Sequence, residues 1–455
     1  MEHVTFTDEQ ETLIKLACEW FRSSTGSQLF EYSAPAGAGK SLVMHEIIRR
    51  LNLDDYREVA PMCYTGTASL IMRLNGFSSA KTCHSWLYKL VETKEMSKIT
   101  MRMHRVNRFV PKSLPPSIKL ICVDEASMIP KDIGEEIMKR DVKVLVCGDL
   151  NQLPPVKDKK SFFLSHPDRV FRLTKIMRQS SHSSIVEISN MLLHGRYPKI
   201  GDYGDVMVIP NRDLNVQHLI NSDIVICCTN NARDAINADV RLLKNIPPDK
   251  SLPQYGEKVV CRSNDWDLES DGINLTNGMV GFVTSHQGIN SMVSRDIYKM
   301  DFSPCLFPDA TFSNLKCDFK YFNANSTLRR EMKSFENPSL YRSNRLGHKF
   351  ELAYAITTHM SQGSQYRKGV FVLDSSHFSD LNKLCYTAVT RFTNFCLFAI
   401  PESRIMVNGF DSRPRAPIYF NEDKKAYSFN SNRTYSSNDG RMKKCVCSIN
   451  GVPVM

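Results

Sequence analysis

The stretch YSAPAGAGKS, residues 32–41, decides the fold, because its composition is that of a loop that wraps around phosphate. In such a loop, small residues let successive backbone N–H groups turn toward an anion, and Gly37 and Gly39 supply that turn here. Lys40 supplies a charge for the β- and γ-phosphates, and Ser41 supplies a hydroxyl for Mg²⁺. Ala34 replaces the glycine with which the motif usually begins. Since the helix-like LVMHEIIRR follows directly, the stretch predicts a nucleotide-binding loop that opens a helix.

Two segments downstream carry the polar groups that such a loop needs for chemistry. ICVDEASMI (121–129) predicts a buried strand that ends in Asp124 and Glu125. One carboxylate can hold Mg²⁺ there, and the other can orient or deprotonate an attacking water. An acidic turn after a strand is the plainer alternative, and the loop upstream argues against it. In GDLNQLPPV (148–156), Asp149 and Gln152 follow a further strand, where a glutamine can sense the γ-phosphate.

Short apolar runs predict an α/β fold with parallel sheets, because their length and continuity are typical of strands that are buried on both faces. These runs are IKLICV (118–123), VKVLVC (142–147), DIVICC (223–228), GVFVLD (369–374) and FCLFAI (395–400). Apolar residues at spacings of three and four predict helices over 41–51 and 231–243. Residues 251–345 are rich in Gly, Asn, Ser and Pro and predict a small β-rich insertion. Residues 411–455 have few apolar anchors and predict a poorly ordered tail.

Composition limits the class of protein and its surroundings. A chain of 455 residues predicts two to four domains, and its net charge of +11 favours a polyanionic partner in an extended groove over a merely soluble basic protein. No apolar run is long enough to span a bilayer, and the N-terminus MEHVTFTDEQ lacks signal-peptide character, so we expect a cytoplasmic protein without a membrane partner. The 14 cysteines form no C-x-x-C pair and predict reduced, buried thiols.

The order of these motifs resembles the superfamily 1B DNA helicases of the RecD, Dda and Pif type, from residue 6 to about 400. The length of the chain favours the phage Dda-like end of that group. The segments that carry the resemblance are TDEQ (7–10, Q motif), SAPAGAGKS (33–41, motif I), YTGTAS (64–69, Ia), AKTCHSWL (80–87, Ib), VDEAS (123–127, II), GDLNQLPP (148–155, III), LTKIMRQ (173–179, IV), LTNGMVGFV (275–283, the SH3-like insertion), AYAITTHMSQGSQY (353–366, V) and LCYTAVTR (384–391, VI).

The resemblance implies a role for each matching residue. It implies catalytic roles for Lys40, Asp124, Glu125, Gln152, Arg178 and Arg391, with the two arginines completing the ATP site from the second half of the molecule. It implies nucleotide contacts from Gln10, Pro35, Ala36, Gly37, Ala38, Gly39, Lys40, Ser41 and Gly363, and Mg²⁺ contacts from Ser41 and Asp124. It implies single-stranded DNA contacts from Tyr64, Thr65, Thr82, His84, Thr358, His359 and Ser361.

The resemblance also implies the domain organisation. We expect an α/β protein with two RecA-like P-loop domains, a small pin-bearing insertion in the first and a β-rich SH3-like insertion in the second. The expected boundaries are 1–176 for domain 1A with the pin at 88–117, 177–250 and 346–410 for domain 2A, 251–345 for domain 2B, and 411–455 for the tail. The pin is the wedge that separates strands, and Phe109, Met101 or Met103 could stack on the terminal base pair there. A purely structural hairpin with a basic face is the alternative for any single one of them.

The expected function is that of an ATP- and Mg²⁺-dependent DNA helicase that moves 5′ to 3′ on single-stranded DNA in replication, recombination or repair. Its expected partners are single-stranded DNA, single-strand/duplex junctions and a single-strand-binding protein or replisome component, and we expect a monomer in the cytoplasm of a bacterium or of a phage- or virus-infected cell. The alternatives are an RNA-directed superfamily 1 helicase, a P-loop ATPase that remodels protein–nucleic-acid complexes and a catalytically dead binding module. Tyr64, Thr67 and Met360 depart from the family pattern in motifs Ia and V, which predicts a DNA grip that is weaker or rebuilt from other residues.

Overall fold

The computed structural model describes residues 5–96, 103–155, 158, 160–175, 183–246, 251–287, 296–333, 347–375, 378–401, 418–421, 426–429, 448–449 and 452–453. The chain divides into two compact units, Met1–Ser181 and His182–Met455. Among the residues so described, no helix has the length and apolar character that crossing a membrane requires.

The first unit is built on a six-stranded parallel sheet with the strand order β3-β2-β6-β7-β1-β8. The described elements of this unit are α1 (Asp8–Arg22), β1 (Leu29–Ser33), α2 (Lys40–Arg50), β2 (Val59–Cys63), α3 (Gly66–Leu74), β3 (Lys81–Thr82), α4 (Cys83–Leu87), β4 (Tyr88–Met96), β5 (Met103–Pro111), β6 (Leu120–Val123), α5 (Lys131–Met138), β7 (Lys143–Gly148) and β8 (Phe171–Arg172).

Successive residues of the central strands contribute to two different cores, one on each face of the sheet. In β7, Leu145 and Cys147 belong to one apolar cluster, whereas Val144 and Val146 belong to the other. This alternation follows from the period of two along a strand, and it explains why the strands of the sequence are apolar without interruption. The carboxyl ends of β1, β6 and β7 are thereby fixed side by side, and the loops that follow them carry the candidate site.

Strands β4 and β5 form a separate two-stranded hairpin with a continuous antiparallel register from Tyr88↔Pro111 to Met96↔Met103. Phe109 lies opposite Leu90, close to the start of the hairpin and away from its tip, and its side chain is 60% exposed. Met101 lies outside the described residues. The hairpin occupies the segment in which the sequence predicted a pin, but it places Phe109 at the base.

The second unit has its own six-stranded sheet, in the order β19-β11-β20-β21-β10-β9, which is parallel except for its edge pair β9–β10. The described elements are α6 (Ser184–Leu193), β9 (Gly201–Asp202), β10 (Val206–Pro210), α7 (Val216–Ile220), β11 (Ile224–Cys227), α8 (Asn230–Leu243), β12 (Lys258–Cys261), β13 (Asp265–Ser270), β14 (Ile273–Leu275), β15 (Val280–Gln287), β16 (Ile297–Pro304), β17 (Phe312–Asp318), α9 (Phe319–Asn323), α10 (Ser326–Lys333), β18 (Phe350–Leu352), β19 (Ala355–Thr357), α11 (Thr358–Ser361), β20 (Tyr366–Val372), α12 (Leu381–Val389), β21 (Phe392–Ile400), β22 (Ile418–Asn421), β23 (Ala426–Phe429), β24 (Ser448–Ile449) and β25 (Val452–Pro453).

A five-stranded antiparallel sheet, β17-β16-β15-β12-β18, is inserted between α8 and β19. We call the segment 251–352 the insertion. Its last strand, β18, pairs with its first, β12, so the two ends of the insertion leave and rejoin the parallel sheet side by side. The sequence predicted that the insertion ends at residue 345, which is before β18. A strand of three residues is too short to show the alternation of apolar and polar residues that predicts a strand.

A buried ionic network joins the insertion to α8. Glu351 of β18 lies 3.2 Å from Arg233 of α8, 3.2 Å from Arg262 and 3.3 Å from Arg329, and its side chain is only 4% exposed. The hydroxyl of Tyr321 donates a further hydrogen bond of 3.0 Å to the same carboxylate. Burial alone would raise the pKa of Glu351, but the three guanidinium groups outweigh it and hold the pKa below the usual range. The carboxylate is therefore ionised and compensates three cations.

The sequence-based architecture is confirmed in its main features. The five predicted strands are β6, β7, β11, β20 and β21, and the two predicted helices are α2 and α8. All cysteines among the described residues are free, and all of them except Cys305 are buried. Most of the predicted tail lies outside the described residues, which show only the antiparallel pairs β22–β23 and β24–β25 there.

Candidate functional site

The predicted phosphate loop connects β1 to α2. Gly37 and Gly39 have φ angles of 85° and 79°, in the left-handed region that glycine adopts without strain. Gly39 is also the N-cap of α2, and no side chain caps that helix end. The loop therefore directs backbone N–H groups and the positive end of the helix dipole toward the same point, as an anion site requires.

Ala34 is compatible with this loop. Its side chain is fully buried in the core, and its N–H donates a hydrogen bond of 2.9 Å to the carbonyl of Gly148. Its φ is not among the positive ones, so this position does not need glycine. The departure of the sequence from the usual motif therefore leaves the two turn-forming glycines and their geometry in place.

Gln10 holds the loop from outside. Its Nε2 donates to the carbonyl of Ala38 at 3.1 Å, and its Oε1 accepts the N–H of Thr7 at 3.0 Å. The second bond completes a capping box with the Thr7 hydroxyl at the start of α1. Both ends of the Gln10 amide are thus engaged by the protein, so contact with adenine stays a prediction, and the role that the geometry supports is positioning of the loop.

Lys40 lies at the centre of the site among carboxylates. Its Nζ is 3.9 Å from Oε1 of Glu125. Burial works to lower the pKa of Lys40, but the negative charges of Glu125, Asp124 and Asp149 outweigh it and raise the pKa above its ordinary value. The lysine therefore carries its charge at neutral pH, directly beside the phosphate loop.

Asp124 is a buried carboxylate with unusual partners. Its Oδ1 accepts the N–H of Glu125 at 2.7 Å and the thiol of Cys147 at 2.9 Å. Burial, followed by the charge of Glu125, raises its pKa, while Lys40 opposes the shift. A cation at this point would favour the ionised form, so the donor set suits a divalent metal.

Two buried side chains of the site have polar atoms without a hydrogen-bond partner among the described residues. They are Oε2 of Glu125 and both amide atoms of Gln152, whose side chain is 2% exposed. Glu125 also has a left-handed backbone, with φ 52°, which costs on the order of 1 kcal/mol for a residue other than glycine. Unpaired buried polar atoms cost free energy, so these groups indicate a polar ligand that would complete the site.

The residues present fit ATP and Mg²⁺. The left-handed loop and Lys40 fit the phosphates, and the unpaired amide of Gln152 can serve a terminal phosphate. The hydroxyl of Ser41 and the carboxylate of Asp124 would hold the metal, which would neutralise charge on the phosphate oxygens.

Four aromatic rings form a contiguous group in the first unit, which we call the aromatic group. They belong to Tyr64, His84, Tyr88 and Phe109. The ring centroids of His84 lie 6.2 Å from Tyr64, 5.8 Å from Tyr88 and 5.8 Å from Phe109. Burial lowers the pKa of His84, which favours a neutral ring at neutral pH. The sequence singled out three of these residues separately, and the structure brings them together and adds Tyr88.

Thr65 and Thr82 serve as N-caps in the same unit. The hydroxyl of Thr65 accepts the N–H of Ala68 at 3.2 Å, and that of Thr82 accepts the N–H of Ser85 at 3.2 Å. Each residue therefore fixes the start of a helix, α3 or α4. Thr67 is buried, so the family's basic residue has no surface position here.

In the second unit, the predicted DNA-binding hydroxyls point inward. Thr358 and Ser361 are fully buried, and they donate to the carbonyls of Cys227 and Thr358 at 3.2 and 2.7 Å. His359 is the third residue of motif V that was predicted to contact DNA, and its side chain takes no part in these two hydrogen bonds. Met360 has its sulfur 3.5 Å from Nη1 of Arg233, and a lysine there would face that guanidinium. The departure at Met360 thus has a local electrostatic reason.

The structure describes one of the two arginines that were predicted to be catalytic. Arg178 lies outside the described residues. Arg391 is buried within the second unit, where its guanidinium donates to the carbonyls of Thr387 at 3.1 Å and Ser364 at 3.3 Å. Gly363 has φ 76° and forms the turn that follows α11. A catalytic role for either arginine stays a prediction.

Sequence reasoning missed two residues beside the metal position. The hydroxyl of Tyr32 donates to the carbonyl of Lys40 at 3.0 Å, and Cys147 bonds Asp124 from the adjacent strand. Tyr32 lies in β1, the strand that leads into the loop, so its position within YSAPAGAGKS was the available signal. Cys147 gives no local signal, because its bond joins residues 23 positions apart.

Comparisons with known proteins bear on the class of protein. An AAA domain family matches residues 6–210. The ATP-dependent RecD2 DNA helicase of Deinococcus radiodurans is 24% identical over 319 residues, which cover 64% of this chain and 38% of that protein. The ATP-dependent DNA helicase Pif1 of Campylobacter jejuni is 25% identical over 419 residues, which cover 80% of this chain and 86% of that protein.

Solved structures give the same fold. A Pif1 helicase solved for DNA unwinding at forked double-stranded DNA matches with a TM-score of 0.53 and 18% identity, over 89% of this chain and 95% of the other. Bacteroides Pif1 bound to single-stranded DNA matches with a TM-score of 0.51 and 18% identity, over 89% and 95%.

The two parallel sheets and the phosphate loop define a P-loop NTPase with two RecA-like domains. More narrowly, the chain is similar to the ATP-dependent DNA helicases of the RecD and Pif1 type in its motifs, in its relatives and in its fold. The Dda-like position within that group stays a prediction.

Replacement of Glu125 with glutamine is expected to separate nucleotide binding from turnover. The amide keeps the size of the side chain but loses the basic oxygen, so ATP should bind while hydrolysis falls by about 10²-fold or more. Fluorescent nucleotide binding and phosphate release measure the two steps. Turnover at the wild-type rate would remove Glu125 as the base, and Glu135→Gln on α5 serves as the matched control.

Proposed function

We propose that this protein is a DNA helicase that hydrolyses ATP, moves 5′ to 3′ along single-stranded DNA and separates the duplex ahead of it. The observation that carries the proposal is the position of Lys40 among three carboxylates beside a left-handed phosphate loop, together with the unpaired amide of Gln152. Relatives that match this chain at 24% and 25% identity are named as ATP-dependent DNA helicases.

The chemical step follows from the geometry of the first unit. The loop amides and Lys40 bind and neutralise the phosphates, and Glu125 orients or deprotonates the attacking water with its unpaired Oε2. Asp124, held by the thiol of Cys147 and by a backbone N–H, keeps one carboxylate fixed for Mg²⁺. Departure of the terminal phosphate would leave Gln152 unpaired again, which gives the site two distinguishable states.

The aromatic group supplies a surface for unpaired bases. Base–aromatic stacking contributes about 1–3 kcal/mol per base and does not select a sequence. Phe109 and Tyr88 lie at the base of the β4–β5 hairpin, and both rings contact His84 in the first turn of α4. We infer that the single strand passes this surface and that the hairpin meets the junction where the strands part.

The direction of movement is tested with tailed duplexes. We expect the protein to unwind a DNA duplex with a 5′ single-stranded tail and not one with a 3′ tail, because it has the motif order of superfamily 1B. Strand separation in a gel or by fluorescence, with ATP and with a non-hydrolysable analogue, measures this. An RNA substrate with the same tails provides the control for the sugar. Faster unwinding from a 3′ tail would contradict the proposed direction, and faster unwinding of RNA would contradict the proposed substrate.

Replacement of Phe109 with alanine is expected to slow duplex unwinding more than it slows ATP-driven movement along single strands. The ring is exposed and stacks near the junction, so its loss removes up to about 1–3 kcal/mol of base contact where strands separate. Val110→Ala, at the neighbouring exposed position, is the matched control. Equal losses in both assays would assign Phe109 to the structure of the hairpin base.

We propose a monomer that acts in the cytoplasm of a bacterial or phage-infected cell, with a single-strand-binding protein or replisome component as a further partner, in replication, recombination or repair. The net charge of +11 supports a polyanionic partner.

A further inference from the structure

A polar cavity lies in the second unit, at the amino ends of β11 and β20, where the parallel sheet meets the insertion. Its volume is about 350 Å³. The residues that line it are Leu219, Ile220, Asn221, Ser222, Asp223, Val240, Lys244, Lys258, Phe282, Tyr354 and Lys368. Lys258 and Phe282 belong to the insertion, whereas Lys244 and Lys368 belong to the parallel-sheet part, so both parts contribute charge.

Three lysines line this cavity, and none of them forms an ion pair with an acidic side chain among the described residues, although the charge of Asp223 acts on Lys258. Lys258 donates a hydrogen bond to the backbone carbonyl of Asp223, and its Nζ lies 5.6 Å from the ring centroid of Phe282. Lys244 is held in a similar way, with its Nζ 5.0 Å from the ring centroid of Tyr354. The aromatic contacts position the ammonium groups but do not neutralise them.

The single carboxylate of the lining does not compensate these charges. Asp223 accepts the N–H of Lys368 at 2.9 Å, so part of its hydrogen-bonding capacity serves the backbone. Three lysines and one aspartate leave a net charge of about +2 around the cavity, by count of the lining residues. Burial lowers the pKa of Lys258, which shows that its charged form lacks solvation at this place. A bound anion would compensate this poorly solvated charge.

The shape and position of the cavity favour a phosphodiester. Phe282 is 41% exposed at the cavity, and its ring positions Lys258, so the cavity presents a fixed positive charge of the kind that contacts a nucleic-acid backbone phosphate. The cavity lies at the amino ends of β11 and β20, whereas α11, which carries motif V, follows the carboxyl end of β19 in the same sheet. A strand of four residues separates these two edges by roughly 13 Å.

We propose that this cavity is a second nucleic-acid contact, which holds a backbone phosphate of a duplex arm between Lys244, Lys258 and Lys368. It is separate from the motif V segment on α11 and joins the insertion to the parallel sheet through the bound phosphate. The insertion thereby has a binding role of its own, in addition to any contact with the translocated strand.

The test is an equilibrium binding experiment with two charge-matched variants. The full chain is saturated with a short unlabelled single strand, and a labelled blunt duplex is then titrated without ATP while fluorescence anisotropy is followed at several salt concentrations. The double variant Lys244→Gln/Lys368→Gln removes two cavity charges. The control Lys199→Gln/Lys316→Gln removes two exposed charges elsewhere in the same unit.

We expect the cavity variant to bind the duplex more weakly than the control does. Its plot of log affinity against log salt should be shallower by up to about 0.9, since the cavity holds one phosphate and each phosphate contact contributes about 0.9 to that slope. Equal affinities and slopes for the two variants would overturn the proposal. Displacement of the duplex by inorganic phosphate or AMP, at concentrations too low to change the ionic strength, would overturn the nucleic-acid assignment in favour of a free phosphate ester.

Two features of the experiment distinguish loss of the cavity contact from loss of folding or of helicase activity. The substituted lysines are exposed, so thermal unfolding should show the same midpoint for both double variants. Because the assay contains no ATP, a protein that fails to unwind duplexes still gives a clear answer for the cavity, and the two proposals fail independently.

Discussion

Replacement of Lys40 with alanine is expected to lower ATP turnover by about 10²–10³-fold or more while the protein remains folded. The lysine directly follows the phosphate loop and carries a positive charge among Glu125, Asp124 and Asp149, so its removal deprives both the phosphates and these carboxylates of a cation. Its loss also leaves the buried carboxylates facing one another, which should raise the pKa of Asp124 further and weaken its hold on Mg²⁺. Steady-state phosphate release with saturating single-stranded DNA measures the effect.

The control for this experiment is Lys15→Ala, which removes an exposed lysine from α1 in the same unit. Circular dichroism and thermal unfolding should not distinguish the two variants. If Lys40→Ala still hydrolyses ATP in proportion to the DNA added, the loop is not the catalytic site and the proposed function fails with it.

Replacement of Glu351 with glutamine is expected to destabilise the second unit by about 3–5 kcal/mol, because it leaves buried arginines without their shared anion. The amide keeps the volume of the side chain, so the loss reflects charge and not packing. At roughly 2–4 °C per kcal/mol for a unit of this size, the unfolding midpoint should fall by about 6–20 °C. Thermal unfolding followed by circular dichroism or calorimetry measures it.

Glu187→Gln, on the exposed face of α6, provides the matched control. Acid should reduce the difference between wild type and the Glu351 variant. The pKa of Glu351 is lowered in the folded state, so its contribution is complete above the ordinary glutamate pKa of about 4.3 and is lost as the pH falls toward the lowered value. A midpoint equal to that of the control at neutral pH would show that the network contributes no net stability.

The sequence predicted the features that depend on neighbours along the chain. The phosphate loop, the Asp124–Glu125 pair and the buried strands are all local patterns, because strand period and loop composition act over a few residues. The structure places Lys40 and Glu125 within 3.9 Å although 85 residues separate them, and the motif order alone implied that they meet.

Features that depend on distant partners could not be predicted in this way. The bond from Cys147 to Asp124 and the three arginines around Glu351 join segments that only the folded chain brings together. The inward direction of the Thr358 hydroxyl depends on the carbonyl of Cys227 on a neighbouring strand, which no local pattern reveals. Phe109 lies at the base of its hairpin because the register pairs it with Leu90, and register is a property of two strands together.

The shared anion at Glu351 also constrains how this protein can change over evolutionary time. One glutamate and Asp234 face three arginines, so a neutral residue at position 351 leaves an excess of buried positive charge unless an arginine is lost as well. Tolerated substitutions at 233, 262, 329 and 351 should therefore occur in combination, whereas single changes are removed by selection. Among diverged relatives these four positions are expected to covary as one group, even where the surrounding surface of the insertion has changed freely.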